Sequence, residues 1–213
     1  TPANIAESVA EGERAFNQGD FGRAYSIFRP LAEAGYAVAQ YYIGFMSVEG
    51  KGITKDEVTG ATWYRKAAEQ GHAIAQNSLG VMYWNGQGVT KDLTQAVSWY
   101  RKAAEQGDAT AQTNLGASYF NGKGVTKDEA EAVLWTRKAT EQGHHGAQFN
   151  LGLAYLEGIG VPKDEAEAVR WFLKAAEQGD AKAQLYLGKV YISGRGITKN
   201  DAEVELLFRY PLI

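Results

Sequence analysis

The chain has 213 residues, and 22 Lys and Arg residues against 25 Asp and Glu residues give it a formal net charge of −3. This near-neutral balance argues against a general nucleic-acid binder, which needs a basic surface to neutralise phosphates. The sequence contains three His and no Cys, which excludes disulfides, iron–sulfur clusters and thiolate catalysis and leaves little material for a zinc site. No apolar run approaches the ~18 residues of a membrane span.

Glycine follows a period that runs along most of the sequence. There are 25 glycines, about 12% of the chain, against an average usage of ~7%. Most of them fall in four columns, and each column steps by 36 residues, as do a Gln column and a Trp column. A fixed period of this length indicates a solenoid of stacked repeats. The first glycine column is Gly35, Gly71, Gly107, Gly143 and Gly179.

The N-terminal segment predicts a helix pair over residues 3–18 and 21–34. Gly19 and Asp20 join these two helices, where every later repeat has a loop that is five residues longer. Pro30 lies inside the second helix, and we expect it to kink that helix because proline removes one backbone hydrogen bond.

Each later repeat predicts two helices joined by a Gly-x-Gly loop. In the clearest repeat, Ala75, Leu79 and Tyr83 form an apolar stripe at helical spacing, and the paired glycines Gly86 and Gly88 end the helix. Residues 197–213 predict either a closing helix or a truncated repeat, because the ends of a solenoid differ from its middle. The predicted helices span residues 37–49, 56–70, 73–85, 91–106, 109–121, 127–142, 145–157, 163–178 and 181–193.

The repeated polar and aromatic positions are interpreted as scaffold. Thr54 and Glu57 have capping-box spacing, which predicts the start of a second helix, and the same spacing recurs two repeats later. Each column Trp is expected in the core, and each column Gln is expected to satisfy a backbone group between packed helices. Lysines three residues before glutamates, such as Lys66 and Glu69, are expected to pair on a solvated outer face.

One repeat carries the pattern Ala73-x-Ala75-Gln76-x-x-Leu79-Gly80-x-x-Tyr83-x-x-Gly86-x-Gly88-Val89, followed by Lys91-Asp92, Ala96, Trp99 and Lys102-Ala103-Ala104-Glu105-Gln106-Gly107. This pattern resembles the Sel-one-like repeat, a longer-looped relative of the tetratricopeptide repeat, over residues 36–196. The resemblance implies an all-α, right-handed α-α superhelix of antiparallel helix pairs in a single domain, 1–213, that acts as an adaptor between proteins. In some secreted bacterial members of the family, a disulfide links the two helices of each pair, and the absence of Cys sets this chain apart from them.

Candidate catalytic and metal-binding residues are few. His72 and His144 occupy helix-start positions where two other repeats have Asp108 and Asp180, so they are interpreted as weak N-cap residues. His144 and His145 are adjacent, and we expect their side chains to point apart rather than share a metal ion. The Gly-x-Gly loops follow helices and lack the strand–helix context of a phosphate loop. We therefore expect no catalytic residue, no cofactor and no metal.

The first helix of each pair carries the candidate binding residues. The resemblance to tetratricopeptide repeats implies that these helices line a concave surface. Their inward positions vary between repeats and are mostly aromatic, aliphatic or Asn, with few charges. A purely solvated face would not carry several large apolar residues, so the positions are interpreted as a binding groove, the alternative being that some pack against the next repeat. The expected partner-binding residues are Tyr41, Phe45, Asn77, Val81, Trp84, Asn114, Phe120, Phe149, Asn150 and Leu153.

The sequence therefore predicts a monomeric, non-catalytic interaction scaffold that binds a protein or peptide in its concave groove. Two alternatives stay open: a carbohydrate or peptidoglycan binder, since Trp, Tyr and Asn also suit sugars, and a lactam or amide hydrolase. We expect neither nucleic-acid binding nor membrane insertion. Because the chain begins at Thr1 rather than Met, we expect that an upstream segment was removed by a signal peptidase or by cloning. The compartment stays open, with a periplasmic or secreted location favoured over the cytoplasm.

Overall fold

The computed structural model describes residues 2–193, with side chains for residues 4–190. Over this range the chain is all-α, with eleven helices and no strand, as the sequence predicts. None of the helices between residues 2 and 193 has the length and hydropathy that crossing a membrane requires. The segment 197–213, predicted as a closing helix or truncated repeat, lies outside the described residues. The helices are α1 (Pro2–Asn17), α2 (Phe21–Glu33), α3 (Ala37–Glu49), α4 (Glu57–Glu69), α5 (Ala73–Asn85), α6 (Leu93–Glu105), α7 (Ala109–Asn121), α8 (Glu129–Glu141), α9 (His145–Glu157), α10 (Glu165–Glu177) and α11 (Ala181–Ser193).

The observed helix bounds follow the predicted ones closely. The first helices of the five repeats, α3, α5, α7, α9 and α11, begin and end at the predicted residues. The second helices, α4, α6, α8 and α10, begin one or two residues later than predicted and end one residue earlier. Helix α2 continues through Pro30 to Glu33, so the proline does not interrupt it.

An Asp begins each second helix from α4 onward. The Asp56 carboxylate accepts hydrogen bonds at 3.0 Å from the backbone N–H groups two and three residues ahead, and Asp92 does the same for its own helix. The predicted capping box of Thr54 and Glu57 is therefore wrong, because Glu57 is the first helical residue and pairs with Lys55 at 3.0 Å. One carboxylate already satisfies two of the N–H groups that a helix start leaves unpaired.

Glycines allow the backbone of one repeat to approach its neighbour. Gly88, in the loop between α5 and α6, has a φ of +63°, and a Cβ on it would lie 2.1 Å from the backbone oxygen of Glu57 in the preceding repeat. Within α5, a Cβ on Gly80 would lie 2.7 Å from the Tyr100 ring. Both positions leave no room for a side chain, which accounts for glycine at these places.

The chain forms two compact units. The first comprises the residues up to Ala111 together with Lys123–Val125, and the second comprises Gln112–Gly122 and the residues from Thr126 onward. Large apolar side chains that are almost fully buried form the core of each unit. In the first unit they include Phe28, Ile43, Met46 and Leu79, and in the second they include Leu115, Leu151, Phe172 and Leu187.

Candidate functional site

Two columns of glutamine connect the two helices of a repeat to each other and to the preceding repeat. The Gln76 side-chain amide donates to the Ala68 carbonyl at 3.0 Å, and Gln76 Oε1 accepts from Nε2 of Gln106 at 2.7 Å. The first contact confirms that this column satisfies backbone groups between packed helices. Sequence reasoning missed the second column, although its period is the same. Equivalent amide–amide bonds join Gln70 to Gln40, Gln142 to Gln112 and Gln178 to Gln148.

Each column tryptophan carries a lysine on its ring. Lys66 Nζ lies 4.2 Å from the centre of the Trp63 ring, and the three equivalent distances are 4.0 to 4.3 Å. The lysines therefore cover indole faces rather than pairing with the glutamates as predicted, since a cation–π contact also lets the lysine stem shield apolar surface. Trp63 and Trp135 are buried, as predicted for the core, whereas Trp99 and Trp171 are half-buried.

Two of the three histidines act as helix caps. His72 Nδ1 accepts a hydrogen bond from the Ala75 backbone N–H at 3.2 Å, which confirms the cap interpretation. Burial lowers the pKa of His72, and this favours the neutral ring that the cap bond needs. His144 caps α9 in the same way. Among the described residues, no group of three or more His, Asp and Glu side chains could hold a metal ion.

The expectation that His144 and His145 point apart is wrong. Their rings stack with centroids 5.5 Å apart and planes 7° apart. His144 is an N-cap with extended backbone, so the angular spacing of helical residues does not apply to the pair. His145 Nδ1 lies 3.0 Å from Oδ2 of Asp180, whose Oδ1 accepts from the Ala183 backbone N–H at the start of α11. The contact therefore joins the starts of two successive first helices.

In the first unit, two of the predicted binding residues lie on α3. The Tyr41 ring stacks on the His72 ring, with centroids 5.0 Å apart. Burial raises the pKa of Tyr41, and the Asp108 carboxylate raises it further. Phe45 packs edge-on against Phe16 at 5.4 Å. Both Tyr41 and Phe45 are half-buried, so each keeps an accessible edge while packing against neighbouring helices.

The other predicted residues of the first unit lie on α5. Asn77 is 9% exposed, whereas Val81 and Trp84 are half-buried. The Trp84 ring lies at a tilt against Tyr100 of α6, with centroids 6.2 Å apart. Because residues 77, 81 and 84 recur at helical spacing, they share one face of α5, and its accessible part is formed by Val81 and Trp84.

The predicted residues of the second unit divide in the same way. Phe149 is 7% exposed, and its ring contacts Phe172 at 5.7 Å and Tyr186 at 5.2 Å between centroids. It therefore packs against the next helices, the alternative considered for these positions. The half-buried members of the set are Asn114, Phe120, Asn150 and Leu153.

The geometry described so far defines a class: helical repeat proteins in which antiparallel helix pairs follow one another every 36 residues. The Sel1 repeat model matches the chain five times in succession, over residues 37–72, 73–108, 109–144, 145–180 and 181–203. The chain belongs to the Sel1 repeat family. No curated protein sequence matches it.

Solved structures support the assignment. A protective antigen of uropathogenic Escherichia coli with an SLR fold is 38% identical, with a TM-score of 0.86 over 96% of this chain and 45% of that chain. A Sel1 repeat protein from Oxalobacter formigenes is 38% identical, with a TM-score of 0.85 over 94% of this chain and 82% of that one. The chain thus spans less than half the length of the E. coli protein. The predicted fold class, an all-α array of helix pairs, is confirmed.

Proposed function

We propose that the chain is a non-catalytic scaffold that holds a protein or peptide partner against the accessible parts of its first helices. Sel1 repeat proteins are commonly protein-interaction scaffolds. The proposal assigns one contact surface to each unit. The first-unit surface is Tyr41, Phe45, Val81 and Trp84, and the second-unit surface is Asn114, Phe120, Asn150 and Leu153.

The observation that carries the proposal is the lack of charge on α5 and α7, the first helices of two successive repeats. Helices α5 and α7 contain no Asp, Glu, Lys or Arg, whereas α8 carries Glu and Lys or Arg along its length. Trp84 and Phe120 are half-buried, and the Asn residues that follow them are exposed. Aromatic rings can take side chains of a partner, and Asn amides can bond its backbone.

The buried predicted residues have a supporting role in this proposal. Asn77 and Phe149 lie beneath the two surfaces, at 9% and 7% exposure. Truncation of either one would change packing before it changed a contact with a partner. The contact residues are therefore the half-buried ones, and a test has to use them.

The two alternative functions receive less support. A sugar site needs flat, accessible rings, and the column tryptophans carry lysine nitrogens 4.0 to 4.3 Å from their ring centres. A hydrolase needs an available base, and Nδ1 of both His72 and His144 accepts the N–H that caps a helix. These contacts of the tryptophans and histidines favour a scaffold over a sugar-binding or catalytic role.

A displayed library of linear peptides provides a direct test. We expect the wild-type chain to enrich peptides rich in apolar side chains. A Trp84→Glu variant with Leu153→Glu is expected to lose at least nine-tenths of the binding of the enriched peptides, because it places charge on both surfaces. Affinity is expected to change little with salt, since the surfaces are neutral.

The matched control is Ser98→Glu with Ala130→Glu, which adds the same charge at exposed positions of second helices. We expect the control to bind the enriched peptides like the wild type. Circular dichroism has to show the same helix content for all three chains. Loss of binding in the control alone would contradict the proposal and place the contact surface on the second helices.

A further inference from the structure

Asp108 and Asp180 occupy the same position two repeats apart, and each lies directly before a first helix. Asp180 uses both of its carboxylate oxygens. Its Oδ1 accepts from the Ala183 backbone N–H at 2.9 Å, and its Oδ2 lies 3.0 Å from His145 Nδ1. Asp108 Oδ1 accepts from the equivalent N–H, that of Ala111, at 2.6 Å. The two carboxylates therefore differ in what meets the second oxygen.

The second oxygen of Asp108 has no basic partner within the chain. Ala73 stands where the later repeat has His145. Among residues 4–190, no Lys, Arg or His forms an ion pair with Asp108. Asp108 is half-buried, so water screens its charge less than it screens an exposed carboxylate. A carboxylate in this position favours a ligand that carries a positive charge.

An aromatic stack lies beside this carboxylate, within the first unit. The Tyr41 ring stacks on the His72 ring, with centroids 5.0 Å apart and planes 20° apart. Burial raises the pKa of Tyr41, and Asp108 is close enough to raise it further. In the described part of the chain, however, no hydrogen bond joins the Tyr41 hydroxyl to Asp108. A ligand with several N–H donors can therefore bond the phenol and the carboxylate together.

The neighbouring first helices add no positive charge to this place. Glu49 is the single charged residue of α3, and α5 has none. Burial lowers the pKa of His72, which favours a neutral ring near pH 7. Glu57 and, to a smaller degree, Glu49 raise the pKa of Lys55, so Glu49 has a counter-charge that Asp108 lacks. The first-unit surface thus adjoins one negative charge without a partner.

We propose that Asp108 and Tyr41 bind an arginine side chain of the peptide partner. Its guanidinium would donate to Asp108 Oδ2, as His145 Nδ1 does to Asp180, and to the Tyr41 hydroxyl. Arginine fits better than lysine, because its planar fork holds several N–H groups in fixed directions and is weakly hydrated. This inference rests on the proposed function, since Tyr41 belongs to the first-unit surface, and it adds the charge that the partner carries.

The displayed library of linear peptides also tests this inference. We expect the wild-type chain to enrich peptides that combine apolar side chains with an arginine. Asp108→Asn keeps a cap acceptor and loses only the charge. Selection on that variant should still enrich apolar side chains but no arginine. One ion pair beside neutral contacts still gives an affinity that changes little with salt.

One synthetic peptide from the wild-type selection, together with its citrulline analogue, gives the size of the effect. Citrulline keeps the shape of arginine and removes its charge. We expect this exchange to weaken binding to the wild type about tenfold and to change binding to Asp108→Asn by no more than about twofold. Tyr41→Phe, which loses only the hydroxyl, should give an intermediate ratio. Isothermal titration calorimetry measures all three chains.

Asp92→Asn is the matched control. Asp92 caps a second helix of the same unit and is exposed, so this variant loses the same charge at a different cap. We expect it to enrich arginine and to discriminate against citrulline as the wild type does. Circular dichroism has to show the same helix content for all four chains.

The outcomes separate this inference from the proposed function. Enrichment of apolar peptides without arginine, or with lysine in its place, would overturn the inference and leave the proposed function intact. A persistent arginine preference in folded Asp108→Asn would do the same. Loss of the preference in Asp92→Asn as well would attribute it to net charge and also overturn the inference. Failure of the wild type to enrich any peptide would overturn both.

Discussion

Every repeat has a loop side and a turn side, and the two differ in how much they vary. On the loop side, the Gly-x-Gly loop recurs in all five repeats, and an Asp caps the second helix in the first four. On the turn side, a glycine also ends the second helix, but the cap of the next first helix changes. It is Tyr36, His72, Asp108, His144 or Asp180.

The surroundings of the two glycines explain the difference. A Cβ on Gly88 would meet backbone of the preceding repeat at 2.1 Å, whereas one on Gly71 would have nothing within 4 Å. Both have positive φ, +63° and +88°. The loop side therefore stacks one repeat on another through the backbone, which tolerates no change, while the turn-side glycine meets no neighbouring backbone and only reverses the chain.

The largest expected effect comes from alanine at these two glycines. Both Gly88→Ala and Gly71→Ala place a Cβ residue at positive φ, which costs about 1–2 kcal/mol. Gly88→Ala adds a backbone clash that must push two repeats apart, so we expect a total of about 4 kcal/mol. Urea unfolding measures both variants, and equal costs for the two would show that the loop does not stack repeats.

Exchanging the cap residues of the loop side and the turn side tests the same comparison, with a smaller expected effect on stability. The Asp92 carboxylate accepts two backbone N–H groups, at 2.9 and 3.0 Å, and His72 accepts one, at 3.2 Å. We expect Asp92→His to cost about 1 kcal/mol, because it leaves one N–H unpaired. We expect His72→Asp to stay within about 0.5 kcal/mol of the wild type, since Asp caps equivalent helices. Thermal unfolding measures both, and a costly His72→Asp would show that the turn-side caps are not interchangeable.

The sequence period predicts the loop side and the helices well because these features recur. Five first-helix ranges match to the residue, and the second helices differ by one or two residues because Asp56 and its equivalents cap them. Features that do not recur, or that join two repeats, are predicted less well. The stacking of His144 on His145 depends on one extended backbone residue, which a helical spacing argument does not include.

In the candidate site, too, contacts between repeats are predicted less well than features that recur. The sequence places Phe149 on a binding face, yet Phe172 and Tyr186 from the next two helices cover it, because packing between repeats depends on side-chain size as well as on position.

The smallest expected effect is a difference in pH dependence between the two kinds of cap. On the loop side, the side-chain hydrogen bond from Thr59, at 2.6 Å, lowers the pKa of Asp56. A lowered pKa means that the folded state holds its proton less tightly than the unfolded chain does. The stabilisation by Asp56 is therefore complete above the ordinary Asp value of ~4 and is lost as the pH falls through the folded value.

On the turn side, burial lowers the pKa of His72, so its contribution is complete above the ordinary His value of ~6.5 and is lost as the pH falls below it. Protonation also removes the Nδ1 acceptor that caps α5. We expect the melting temperature to fall in two ranges, one below ~6.5 and one below ~4. His72→Asn, which retains a cap acceptor but does not titrate in this range, should reduce the first fall and leave the second. Asp56→Asn should do the reverse. If both variants changed the fall in melting temperature over the same pH range, the caps of the two sides would not titrate independently. The difference between the loop side and the turn side would then not extend to their caps.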